Sequence, residues 1–126
     1  MSLRSPLGRV RGLGSAKSGT EHWWAQRLTA LALIPLCLWF VASIAAMVGA
    51  DYATMRAWVD SPLVAGLLIL LILATFYHAY LGVQVVIEDY VHYEPLKIAA
   101  LLCVAGLSIL LGVIAVLSVL LLLFGG

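Results

Sequence analysis

His78 stands inside an otherwise charge-free run, Ser61 to Ile87. A helix needs about 20 apolar residues to cross the hydrocarbon of a bilayer. An ionisable group at that depth is costly and by default marks a functional site. Three chemistries suit the ring. It can hydrogen-bond across a helix interface, relay protons, or give a nitrogen lone pair to haem iron as an axial ligand. The run ends abruptly in Glu88, Asp89 and Tyr90. Ten residues, roughly 15 Å of helix rise, separate His78 from that edge. A phenol at a membrane boundary can donate a hydrogen bond to a carbonyl, including that of a quinone, and nearby carboxylates can supply protons to it. The same tyrosine can instead be an aromatic-belt anchor beside solvated acids. Arg27 opens the first apolar run. It can pair with an anionic ligand group such as a haem propionate, or simply set topology and snorkel.

The helix around His78 must serve any of these roles. Ala74, His78 and Gly82 fall at i, i+4 and i+8 and share one stripe. Apart from the imidazole the stripe is small, which admits close approach by another helix or by a flat macrocycle. His22 and His92 lie near the expected interfaces, so a bis-histidine haem must draw its second ligand from another subunit. Trp23, Trp24, His22 and Glu21 are read as interfacial residues rather than ligands, and His92 as solvent-exposed. Gln84, six residues beyond His78, faces away from the ring and is assigned an interhelical hydrogen bond.

Composition limits what else the chain can be. Charged residues are 10% of the 126, against about 25% in soluble domains, which excludes a soluble globule and a separate soluble domain. Cys37 and Cys103 fall within expected spans, far apart in sequence. That excludes a zinc-site spacing and a disulfide framework, and both are expected to be small core residues. Walker A, Rossmann and CxxC patterns are absent, as is a Ser-His-Asp candidate. Flavin or iron–sulfur chemistry must therefore belong to partners. Basic residues are too few for specific nucleic-acid binding.

The fold expected is an all-α membrane protein of three transmembrane helices. Residues 1–23 form an N-terminal segment and 24–126 the three-helix anchor. The first twenty residues are basic, free of acid and rich in Ser and Gly. They faintly resemble a transit peptide but are read as an irregular cytoplasmic tail. Thr20 is a candidate N-cap. Spans are expected at about 28–50, 63–87 and 96–124, with Pro35 inside the first and Pro62 and Pro95 starting the others. Asp51–Ser61 reads as a short polar connection with Tyr52 and Trp58 as interfacial anchors, and Glu88–Lys97 as a short loop. Arg4, Arg9, Arg11, Lys17, Arg27 and Lys97 fall on one side and only Arg56 on the other. The positive-inside rule then places the N-terminus and the second loop in the cytoplasm, and the C-terminus in the periplasm.

One segment carries a resemblance. Phe76-Tyr77-His78-Ala79-Tyr80-Leu81-Gly82 through Glu88-Asp89-Tyr90-Val91 resembles the signature of the hydrophobic membrane anchor family of succinate dehydrogenase (complex II). The shared elements are a His-Ala pair, a glycine four residues after the histidine, and an Asp-Tyr pair eleven and twelve residues after it. His22-Trp23-Trp24-Ala25-Gln26-Arg27-Leu28-Thr29-Ala30 is similar to the start of that family's first helix. The third span carries no such mark.

The resemblance implies a bacterial inner-membrane subunit of succinate:quinone oxidoreductase in the respiratory chain and the tricarboxylic acid cycle. It is non-catalytic alone and partnered by a second membrane anchor, an iron–sulfur subunit and a flavoprotein. It implies His78 as an axial ligand of haem b and Tyr90, with Asp89 beside it, at the ubiquinone. It also implies Arg27 near the haem propionates or the quinone, and the basic tail against the iron–sulfur subunit. Two other readings stay open: a small proton-coupled transporter or channel subunit with His78 as relay and Glu88/Asp89 as proton antenna, and the anchor of a fumarate reductase.

Overall fold

The computed structural model describes Pro6 and residues 19–125. The basic residues of the tail, Arg4, Arg9, Arg11 and Lys17, lie outside that range. Four helices follow in order: α1 (Gly19–Ala46), α2 (Tyr52–Val59), α3 (Pro62–Tyr90) and α4 (Glu94–Phe124). Three of them, of 28, 29 and 31 residues, are long and apolar enough to cross a membrane. Each exceeds the roughly 20 residues that a crossing requires, leaving room for tilt.

The helix ends differ from expectation in instructive ways. Thr20 lies in the first turn of α1 rather than at its N-cap, because the helix already includes Gly19. The chain leaves α1 through a turn in which Gly49 takes φ +84°, a left-handed conformation that glycine adopts without strain. The supposed polar connection is itself a helix. Asp51 caps α2 by accepting the Thr54 N–H at 2.9 Å. Hydrogen bonds from the Thr54 side chain and then its backbone hold the Asp51 carboxyl below its ordinary range. Pro62 opens α3, where its missing N–H would have had no partner anyway. The second loop is three residues, since α3 runs on to Tyr90 and α4 begins at Glu94. Lys97 closes the first turn of α4 by pairing with Glu94 at 2.9 Å.

α3 is the central element. α1 and α4 each pack along it, while among the described residues the backbones of α1 and α4 do not approach one another. The core lies at the α2 end. Ala65, Leu68 and Val119 are buried there, with Trp39, Phe40, Trp58 and Leu123 packed around them. Trp58 stacks on Trp39 there, with ring centroids 5.8 Å apart. Tyr52, by contrast, is exposed. Cys37 and Cys103 are free thiols on the outer surface, not core residues. A row of helices with so little interior leaves broad apolar faces uncovered, including Leu31, Leu38, Leu102 and Leu121. Such faces belong against lipid or neighbouring membrane helices.

Candidate functional site

At the end opposite the core, α1 and α3 are joined by polar groups. Thr29 on α1 and His78 on α3 meet, with Oγ1 2.9 Å from Nδ1. The antiparallel packing that brings them together also sets the start of α1 beside the end of α3. His22, Gln26 and Thr29 recur at i, i+4 and i+7, so they form one stripe of α1 facing α3. Gly82 lies under Gln26: a Cβ built there would touch the amide nitrogen at 3.5 Å. Ala74, one turn before His78, is buried. The small stripe on α3 thus accepts α1 of the same chain.

The Thr29 hydroxyl has more neighbours than protons. Its Oγ1 is 2.8 Å from the carbonyl oxygen of Ala25 and 3.0 Å from that of Gln26. Carbonyls only accept, so the hydroxyl proton goes to the backbone of its own helix, a bond that threonine commonly makes inside helices. Further along the stripe, the Nε2 of His22 and the Oε1 of Gln26 are shielded and have no hydrogen-bond partner among the described residues. A shallow, largely apolar hollow of about 430 Å³ opens at the seam beside Thr29, bounded by Leu28, Ala32, Leu73, Ala74 and Tyr77. A larger groove of about 530 Å³ between α3 and α4 is lined by Phe76, Tyr77, Tyr80 and Gly112 and does not include His78.

The remaining residues named from sequence do not converge on His78 within this chain. Arg27 is exposed and stacks over the Trp23 ring at 5.3 Å from its centroid. Two positions before Thr29, it is turned about 200° round α1 from the seam. Tyr90 is 78% exposed, and Asp89 and Glu88 are exposed beside it. Eleven residues of helix bring Asp89 back to within about 20° of the His78 direction, roughly 16 Å further along. Asp89 therefore heads the same stripe, and Tyr90 lies about a third of a turn aside. Gln84 does not reach another helix as expected; its amide nitrogen donates to Glu88 at 2.9 Å within α3. His92 is exposed, as its loop position implied.

Thr29 is the residue that sequence reasoning passed over. It stood within the quoted N-terminal motif without a role. Its signal was the polar spacing of His22, Gln26 and Thr29 within an apolar helix. Among the described residues no three His, Cys, Asp or Glu side chains gather as a metal site. Haem iron is different, since the macrocycle brings four nitrogens and the protein owes one per face. A half-buried imidazole anchored through one ring nitrogen fits that need.

No solved structure matches the chain. Residues 1–120 match the family model described as succinate dehydrogenase/fumarate reductase transmembrane subunit. The chain is 34% identical over 108 residues to the succinate dehydrogenase hydrophobic membrane anchor subunit of Rickettsia bellii, covering 86% of each. It is 31% identical over 90 residues to the protein of the same description from Paracoccus denitrificans, covering 71% of this chain and 70% of that one. A succinate dehydrogenase membrane anchor subunit of Reclinomonas americana is 29% identical over 96 residues, 74% of this chain and 80% of its own. With its three apolar helices and a match over nearly its whole length, the chain belongs to the succinate dehydrogenase/fumarate reductase transmembrane subunit family.

Proposed function

We propose that the chain is the hydrophobic membrane anchor subunit of a succinate dehydrogenase, that His78 fills one axial position of a haem b, and that Tyr90 and Asp89 form part of a ubiquinone-reduction site. The observation that carries the haem reading is the 2.9 Å contact between Thr29 Oγ1 and His78 Nδ1. It ties down one nitrogen of a ring in the apolar belt and leaves the other to a ligand. Haem b, when bound, supplies a one-electron redox centre. A second ligand would come from another membrane anchor subunit, for which the uncovered faces of this three-helix row leave room.

Within the assembled complex the chain's residues divide the work. His78 holds iron. Arg27 makes no ion pair among the described residues, so its charge is available to an anionic group brought by the cofactor or a partner. The Tyr90 phenol donates a hydrogen bond to a quinone carbonyl, and the Asp89 carboxylate beside it passes protons from solvent to the reduced oxygen. An iron–sulfur subunit and a flavoprotein complete the enzyme, and catalysis belongs to that assembly. The start of α1 and the α3–α4 turn share one end, near Arg27 and Lys97, and four more basic residues precede α1 in sequence. That end is cytoplasmic by the positive-inside rule, with the C-terminus in the periplasm of a bacterial inner membrane. The family description also covers fumarate reductase; the relatives named above favour the succinate-oxidising direction. Family membership leaves the transporter reading without support.

Tyr90→Phe tests the quinone site. Loss of one hydrogen bond, about 0.5–1.5 kcal/mol, is expected to lower kcat/KM for quinone by about two- to twelvefold. The haem spectrum and subunit composition should be unchanged. Wild-type quinone turnover in this variant would remove Tyr90 from the site. Arg27→Gln is expected to shift the haem potential more than Arg56→Gln does; equal shifts would leave Arg27 as a topology signal.

A further inference from the structure

We infer that Thr29 is a positioning residue that fixes the tautomer and orientation of His78, so that the imidazole presents Nε2 as its electron-pair donor. The inference rests on the haem reading above. A hydroxyl has one proton. Two carbonyl oxygens lie 2.8 and 3.0 Å from Oγ1, and His78 Nδ1 lies at 2.9 Å. Were the proton directed at Nδ1, Oγ1 would face both carbonyls at hydrogen-bond distance with no hydrogen between them, which is repulsive. With the proton on the Ala25 or Gln26 carbonyl, Oγ1 offers lone pairs to α3 and Nδ1 must carry the ring proton. A neutral imidazole has one N–H. Once Nδ1 holds it, Nε2 is bare.

The arrangement acts on the ligand as well as on its direction. A ring that donates its second N–H to an acceptor is a more basic ligand. A more basic nitrogen favours ferric over ferrous iron and lowers the potential. The hydroxyl also fixes the rotation of the ring from a different helix, 49 residues away in sequence. Packing of α1 on α3 is thereby coupled to the ligand. Val has the shape of Thr without the hydroxyl, whereas Ser keeps the hydroxyl and loses a methyl, so the pair separates hydrogen bonding from packing.

The test uses the whole complex, purified in mild detergent from cells carrying Thr29→Val, Thr29→Ser or His78→Ala, with subunit composition checked for each. Thr29→Val is expected to keep the subunits together and raise the haem midpoint potential. Each tenfold change in the ferric-over-ferrous preference reads as about 59 mV in this one-electron equilibrium. Thr29→Ser should return the potential close to wild type. A wild-type potential in Thr29→Val overturns the inference, as does an equal shift in Thr29→Ser, which would make the effect one of packing. These outcomes are distinct from failure of the haem reading. That failure appears as unchanged haem bands in His78→Ala, and it overturns the role of Thr29 with it.

Discussion

His78→Ala is expected to strip haem from the assembled complex and leave the protein subunits associated. Two losses of unequal size decide this. The fold loses one hydrogen bond between α1 and α3; such bonds across membrane helices average about 0.6 kcal/mol. Thr29 keeps its bond to the backbone carbonyls of its own helix, so no hydroxyl is stranded. The core around Ala65, Leu68 and Val119 lies at the other end and is untouched. A haem held as proposed would lose the bond that this chain gives it. Outer partners of metal ligands are worth about 10–100-fold in affinity, and the ligand itself is worth more. Dithionite-reduced haem bands, measured per complex, should therefore be lost or clearly altered in His78→Ala. Bands at wild-type intensity would mean that the ring serves α1–α3 packing alone.

Ala65→Leu is expected to destabilise the chain more than any substitution on its outer faces. Ala65 is 1% exposed, the most deeply buried side chain of the core. Around it stand Trp39, Phe40 and Trp58, two of them stacked indoles. Lipid tails are as apolar as leucine, so extra apolar area gains nothing there. Three added carbons must instead displace packed aromatic rings, at a cost of about 1–3 kcal/mol. Leu63→Ala is the matched control because Leu63 is 72% exposed. Thermal unfolding of the purified complex, followed by loss of subunit association, reads both. A clear fall for Ala65→Leu and little change for Leu63→Ala are expected. Equal melting would contradict the placement of the core at the α2 end.

Hydropathy made the three long helices legible. Their existence needs only runs of apolar residues longer than a bilayer is thick. Their ends were less legible, since the apolar run stops before the helix does: α3 continues through Glu88, Asp89 and Tyr90 to reach the loop. The helix α2 was missed because eight residues holding Arg56 and Trp58 have no long apolar run. Its signal was the Asp51 cap three residues before Thr54. The Gln84–Glu88 bond was available from i, i+4 spacing alone. His78 could be singled out because cost marks it: an imidazole in an apolar helix requires a reason. Its partner could not, because Thr29 and His78 are 49 residues apart and no local rule links them. Arg27, Asp89 and Tyr90 were legible as chemistry at one membrane edge. The groups that would give them a role are not specified by the spacing of one sequence.

On the proposed reading, His78 lends a nitrogen to an iron shared with a neighbouring subunit. A cryo-EM density map of the complex, purified in mild detergent, tests it most directly. A porphyrin is expected between this chain and its membrane partner, with iron bonded to Nε2 of His78 and Nδ1 still on the Thr29 hydroxyl. A map in which that ring touches only amino acids, with no macrocycle beside it, would contradict the claim.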